Sequence, residues 1–138
     1  MIILDTNVVS ETMRAIPSHG VLNWLTRHQD CLHTTTITLG EILYGIELVP
    51  DGRRRRDLLA GADKMFGQVL IGHIFPFDEQ AARVFPTIAA ARRRQGRPID
   101  ELDAQIAAIA SVHGATLATR NTADFEGCGI RVVNPWVD

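Results

Sequence analysis

Four acids in this chain fall where a fold can bring carboxylates together. Asp5 ends the apolar run Met1-Ile-Ile-Leu, Glu41 follows Thr38-Leu-Gly, Asp103 stands in Asp100-Glu-Leu-Asp-Ala, and Asp124 in Thr122-Ala-Asp-Phe. Each falls beside a strand end or in a first helical turn. Each has Thr or Asn nearby: Thr6, Asn7, Thr119 and Asn121. If the four points converge, they form a cage of hard oxygen donors suited to Mg²⁺ or Mn²⁺. Carboxylates gathered without Lys or His among them repel, and a divalent cation relieves that repulsion. Such groups do metal-assisted hydrolysis of phosphodiesters.

Taken singly, each acid also has a structural use. Asp5 can cap the helix that follows it. Glu41 completes a Thr38-x-x-Glu capping box. Asp103 in a first helical turn is favoured by the dipole, and Asp124 can cap a short turn. The joint pattern argues for more, because Asp5 ends an almost wholly apolar strand, where an acid without partners is costly. Thr6, Asn7, Thr119 and Asn121 supply neutral oxygens and donors that can orient ligands or waters, and for Thr6 and Thr119 backbone capping is an equal use.

The elements that must position these groups alternate. Ile2–Leu4 reads as a strand, Val8 to about Met13 as a short helix, and Ser18 to His28 as a helix by the spacing of Val21, Leu22, Trp24 and Leu25. A strand over Cys31–Thr35 leads to a helix opened by the Thr38 box and closed at Pro50-Asp-Gly. The stripe Leu58, Leu59, Ala62, Met65, Phe66, Val69, Leu70 predicts a helix from about Arg53 to Leu70, with that face in the core or a subunit interface. A strand near His73–Phe77 precedes a helix capped by Asp78 and running to about Gln95, which Pro86 is expected to kink. A helix follows Glu101 and ends at Gly114. Ala115–Thr119 and Ile130–Val133 complete four to five short strands. Strands alternating with helices predict an α/β three-layer sandwich around a mainly parallel sheet, one domain over residues 1–138. In such sheets ligands bind beyond the carboxyl ends of the strands, where Asp5 and the Asn121–Asp124 turn emerge.

Composition narrows the classes. With 46% hydrophobic and 22% charged residues the chain is ordinary for a globular domain, which argues against disorder and coiled coil. No apolar run is long enough to span a bilayer and no signal peptide opens the chain, so a cytoplasmic address is expected. Cys31 and Cys128 lack metal-ligand spacing and are expected free, and the five histidines are scattered, which leaves zinc and haem unsupported. No Gly-rich phosphate loop is present. Net charge is −2, yet eight of the fourteen basic residues lie in two arginine clusters, Arg53–Arg56 and Arg92–Arg94 with Arg97. These are solvated faces or contacts to RNA backbone or an acidic partner. Arg120 stands next to the acids, where it can pair with phosphate or steady the carboxylates. Trp24 reads as core, and Asn134-Pro-Trp136 as a docked tail.

Ile3-Leu-Asp5-Thr-Asn-Val, Thr38-Leu-Gly-Glu41-Ile-Leu-Tyr-Gly-Ile, the helix from Asp103 through Ala104-Gln-Ile-Ala-Ala-Ile-Ala, and Ala118-Thr-Arg-Asn121-Thr-Ala-Asp124-Phe together resemble PIN-domain ribonucleases. The nearest likeness is to VapC toxins of bacterial toxin–antitoxin modules, in their FitB-like branch, which the ending Val-Asn-Pro-Trp136 also resembles. The resemblance spans essentially the whole chain. It implies a Mg²⁺- or Mn²⁺-dependent endoribonuclease that inhibits translation by cutting tRNA, rRNA or mRNA. It further implies a homodimer neutralised by a cognate antitoxin whose C-terminal segment blocks the acidic pocket, with operator DNA bound only through the antitoxin. By position, Asp5 and Asp103 are then principal metal ligands, with Glu41 and Asp124 joining directly or through water. Many relatives carry Asp where this chain has Asn121, so either Asp124 supplies the fourth carboxylate or Asn121 serves as a neutral ligand. Two rivals remain: a non-catalytic PIN-fold RNA- or protein-binding regulator, and a Mg²⁺ phosphatase using Asp5 as nucleophile, which usually wants an acid where Asn7 stands.

Overall fold

Ile2–Leu4 forms the central strand β1 of the structure, a computed structural model describing residues 1–138. Around it lie β2 (Leu32–Thr35), β3 (Ile74–Phe75), β4 (Thr116–Ala118) and β5 (Val132–Val133), in the order β3-β2-β1-β4-β5. Every pairing is parallel, with Ile3 opposite His33 on one side and Leu117 on the other. The helices are α1 (Thr6–Thr12), α2 (His19–Arg27), α3 (Thr36–Glu47), α4 (Arg53–Lys64), α5 (Glu79–Arg94) and α6 (Glu101–His113).

Side chains alternate across a strand, so β1 feeds two cores. Leu4 packs with Val8 and Val9 of α1, Trp24 of α2, Ile42 of α3 and Phe66. Ile3 faces the other way, against Ile88 of α5, Ile106 and Ile109 of α6, Leu117 and Phe125. Helices α1 to α4 thus cover one face and α5 with α6 the other, giving the expected three layers. With both faces covered, the central strand β1 carries an unbroken apolar run, Ile2-Ile-Leu4. Trp24 is core as expected, both cysteines are free, and no helix is long and apolar enough to cross a membrane.

Several boundaries differ from the sequence reading. Helix α1 begins at Thr6, not Val8, because the Asp5 carbonyl already accepts from the Val8 and Val9 N–H groups at 3.0 and 3.3 Å. Helix α3 begins at Thr36, and its cap is Thr35, whose hydroxyl accepts from Thr38 N–H at 3.1 Å. The Thr38–Glu41 capping box is therefore not formed. The expected Arg53–Leu70 helix ends at Lys64 and continues as a widened turn over Met65–Val69. In that stripe Leu59 and Val69 face outward, at 38% and 50% exposure. Leu59 is the sequence neighbour of the inward Leu58 and so points to another side of α4, and Val69 lies in the wide turn, which shifts the face. Helix α5 runs unbroken through Pro86, which lies on its exposed side. Gly114 ends α6 with φ of 60°, the left-handed conformation that a side chain would oppose.

The cap assignment is open to direct test by urea denaturation. Thr35→Ala is expected to lower unfolding stability by about 1–2 kcal/mol, whereas Glu41→Ala should cost nothing.

Candidate active site

The strand ends converge as the parallel topology requires. Asp5 emerges from β1, its N–H still in the ladder on Ala118 O at 2.9 Å. Thr119 follows β4, and α3 and α6 deliver Glu41 and Asp103 from their first turns and a half. Asp5, Glu41 and Asp103 line one cleft of about 430 Å³ together with Thr6, Asn7 and Asn121.

Asp5 is 5% exposed and fully engaged. One carboxylate oxygen accepts from Thr6 N–H at 2.8 Å, and the other from the Thr119 hydroxyl at 2.7 Å and the Asn7 amide at 3.2 Å. Asp5 is also the N-cap of α1, the structural use expected of it. The buried Thr119 hydroxyl spends its single proton on Asp5 and accepts from the Asn7 side chain and from Asn121 N–H, each at 3.1 Å. Thr6 donates its hydroxyl proton to Glu41 at 2.9 Å, so the Thr38 hydroxyl, 3.1 Å away, must donate to Thr6. Glu41, released from capping, is thus turned into the cleft.

No Lys, Arg or His forms an ion pair with Asp5, Glu41, Asp103 or Asp124. Burial pushes the Asp5 carboxyl upward against the lowering hydrogen bonds from Thr119, Thr6 and Asn7. Burial also raises Glu41, with Thr6 opposing and Asp5 and Asp100 adding to the rise. Asp103 is pushed up to about 7, first by desolvation, then by repulsion from Asp5, Asp100, Asp124 and Glu41. No side chain accepts the role of counter-ion, and a helix N-terminus alone does not offset the repulsion at Asp103.

The donor chemistry fits a hard divalent cation. As placed, no three His, Cys, Asp or Glu side chains close on a single point. Mg²⁺ is commonly held by one or two carboxylates plus waters, so Asp5 and Asp103 flanking an open cleft meet its needs.

The remaining expected residues divide. Asn121 lines the cleft, with its side chain in no hydrogen bond, whereas Asp124 is exposed, stands outside the lining and acts on the other acids only through its charge. Asp124 belongs to the 3-10 turn Thr122–Phe125, anchored beneath by Phe125. Arg92 also pins this turn, donating to Asp124 O at 2.6 Å and to Arg97 O at 2.8 Å. At 4% exposure it is neither a solvated residue nor a nucleic-acid contact, which corrects the reading of that cluster. Arg97 continues the clamp, to Ala123 O and Glu126. In the other cluster Arg55 pairs with Asp51 and Glu47, while Arg53 and Arg54 edge a groove of about 770 Å³ that shares Ser10 and Arg14 with the cleft.

Four lining residues were not foreseen: Ser10, Glu11, Arg14 and Trp136. Glu11 is buried at 4% exposure, accepting from Ser18 N–H at 2.9 Å and pairing with Arg14 at 3.4 Å. The signal was the spacing Thr6, Asn7, Ser10, Glu11, Arg14, a polar helical face visible only once α1 starts at Thr6.

The profile of the PIN-domain family matches residues 2–127. The plasmid stability protein StbB of Pseudomonas syringae pv. tomato is 38% identical over 137 residues, covering 99% of both chains. The VapC ribonuclease Y4jK of Sinorhizobium fredii is 37% identical over 140 residues, covering 99% of this chain and 98% of its own. Toxin FitB of Neisseria gonorrhoeae is 34% identical over the whole of both chains. The crystal structure of FitAcB from that organism superposes with a TM-score of 0.91 at 34% identity, again over all of both chains.

The raised Asp103 pKa carries a stability consequence. The folded chain binds this proton more tightly than the unfolded chain, so stability is gained as pH falls from about 7 towards 4 and lost as it rises through that window. Asp103→Asn, in EDTA at pH 8, should raise stability by about 1 kcal/mol, roughly 3 °C in Tm after allowance for solvent screening of a half-exposed group. The gain should vanish by about pH 4 in calorimetry.

Proposed function

The chain belongs to the PIN-domain family, and from that premise we propose that it is the toxin of a toxin–antitoxin module, a divalent-metal-dependent endoribonuclease that inhibits translation by cutting RNA. The observation that carries this reading is one cleft lined by Asp5, Glu41 and Asp103, with no cationic side chain paired to any of them.

Asp5 and Asp103 would hold Mg²⁺ or Mn²⁺, with Asn121 as a neutral donor beside them and Asp124 contributing charge from outside. When bound, the ion supplies Lewis acidity to the scissile phosphate and acidity to a water. The protein's part is geometric and protic. Thr119, Asn7 and Thr6 fix both Asp5 oxygens, so the carboxylate cannot rotate away from the cleft. Glu41, steadied by Thr6 and with its pKa raised by burial, takes the proton from the attacking water. The water oxygen bonds to phosphorus, the bond to the 3′ oxygen breaks, and that oxygen leaves as a hydroxyl once protonated. The products are a 5′-phosphate and a 3′-hydroxyl, and the RNA 2′-hydroxyl takes no part.

A cognate antitoxin neutralises the toxin by covering this cleft, and the groove edged by Arg53 and Arg54 that runs out of it suits the antitoxin segment. Operator DNA is met only through the antitoxin. The cytoplasm is where its RNA substrate lies. Leu43 and Tyr44 of α3 and Leu48 just past its end, exposed at 43%, 68% and 67%, offer an apolar face for a homodimer.

Induced expression in a bacterial host is expected to arrest growth and to yield discrete new RNA ends bearing 5′-phosphate. Asp5→Asn should abolish both, lowering cleavage by about two orders of magnitude or more. Arrest that survives Asp5→Asn would instead mark a non-catalytic binding regulator. A 2′,3′-cyclic phosphate product would overturn the water-attack chemistry.

A further inference from the structure

Two arginines line the acidic cleft, and they are held differently. Arg14 reaches back to Glu11 at 3.4 Å. Arg120 lines the same cleft as Asp5, Glu11, Glu41 and Asp103, yet pairs with no carboxylate. An exposed guanidinium beside that much negative charge is expected to fold onto an acid. Here its carbon stands 4.9 Å from the centroid of the Trp136 ring, a cation–π arrangement.

Both ends of this pair are anchored. The Arg120 N–H donates to the Asn7 side-chain oxygen at 3.1 Å, and the Asn7 amide donates to Asp5, so the backbone of Arg120 is tied to the site itself. Trp136 is fixed by the turn that carries it. Its N–H donates to the Asn134 side-chain oxygen at 2.9 Å, and Asn134 N–H donates to the Asp138 carboxylate at 2.6 Å. The indole packs half-buried against the core beneath β1. The result is a planar guanidinium parked on an aromatic face at the rim of the cleft, its N–H edge unspent.

Resting on the ribonuclease reading, we infer that Arg120 is the residue that grips a backbone phosphate flanking the scissile bond, and that Trp136 is the positioning residue that keeps Arg120 from collapsing onto the carboxylates. A guanidinium presents paired N–H donors to phosphate oxygens. One that had paired with Asp103 or Glu41 would neither reach the RNA nor leave those acids free. The carboxy-terminal turn is thereby part of the substrate-binding apparatus, 131 residues along the chain from Asp5 but adjacent in space.

The test is steady-state cleavage of unfractionated bacterial tRNA with Mg²⁺, across a range of potassium chloride, by wild type, Arg120→Gln, Trp136→Leu, Trp136→Phe and the double variant Arg120→Gln/Trp136→Leu. Arg120→Gln is expected to raise KM about tenfold with kcat within about twofold, and to flatten the slope of log KM against log salt by about 0.7–0.9, one phosphate contact. Trp136→Leu should raise KM about threefold, Trp136→Phe should recover most of that loss, and the double variant should be no worse than Arg120→Gln alone. The same ranking is expected in the Kd of labelled tRNA measured on an Asp5→Asn background, which separates grip from chemistry. Additive effects of the two changes, or a fall in kcat at constant KM in Trp136→Leu, would overturn the inference. So would wild-type cleavage indifferent to Arg120→Gln. Wild type that neither binds nor cuts the tRNA, nor rRNA or mRNA offered in the same assay, would bring down the ribonuclease reading itself, and the inference with it.

Discussion

A carboxylate buried at the end of an apolar strand is the constraint on which this site turns. Asp5 loses water on burial and recovers it as three hydrogen bonds, from Thr119, Thr6 and Asn7. Each donor is itself committed elsewhere. Thr119 also accepts from Asn7 and from Asn121 N–H, and Asn7 accepts from Arg120 N–H. One acid therefore sets the conformation of the start of α1 and of the segment after β4. The hydrogen bonds restrain Asp5 without cancelling the desolvation, so its pKa stays raised. A site built this way is rigid before any substrate arrives.

The parallel sheet makes such a construction economical. All five strands point their carboxyl ends the same way, and the central one carries Asp5. Helix α3 follows β2 directly and presents Glu41 there, while α6, which leads into β4, presents Asp103 from its first turn over the same opening. The arrangement concentrates like charge at the point where the backbone is best held. Desolvation first, and then repulsion from the neighbouring acids, raises Asp103 to about 7 and costs stability in the metal-free chain. The two cores, on opposite faces of β1, supply the burial that offsets it.

The arginines show how one side chain serves opposite ends. Arg92 is buried and spends its donors on main-chain carbonyls, fastening the turn that carries Asp124 to the end of α5. Without a carboxylate partner, its charge is met by backbone carbonyls and by the Cys128 sulfur at 3.6 Å. Arg120 keeps its charge in water, stacked on Trp136 beside the acids. The sequence pattern that drew attention, a run of arginines, contains the structural one. The two arginines lining the cleft, Arg14 and Arg120, each stand alone in the chain.

Fold class and the principal acids were legible because they follow from local rules. Apolar strands of three to five residues between helical stripes require a sandwich, and an acid at a strand end requires a partner. Element boundaries were less legible, since Thr38-x-x-Glu41 satisfies a capping pattern but Thr35, three residues earlier at the end of β2, takes over the cap. That competition is settled by where β2 stops, which depends on pairing with β1 and β3. Glu11 and Trp136 were missed for a related reason. The first belongs to a helical face whose start is set by Asp5. The second belongs to a turn whose neighbour, Arg120, is sixteen residues away in sequence. By itself the sequence determined the kinds of groups available, hard acids and arginines on alternating strands and helices, because residue type and spacing are local properties. Only the tertiary structure decided which of them meet. Asn121 faces the cleft and Asp124 does not, and Arg120 lies over an indole in a cleft lined by acids, because those outcomes depend on long-range packing that no spacing encodes.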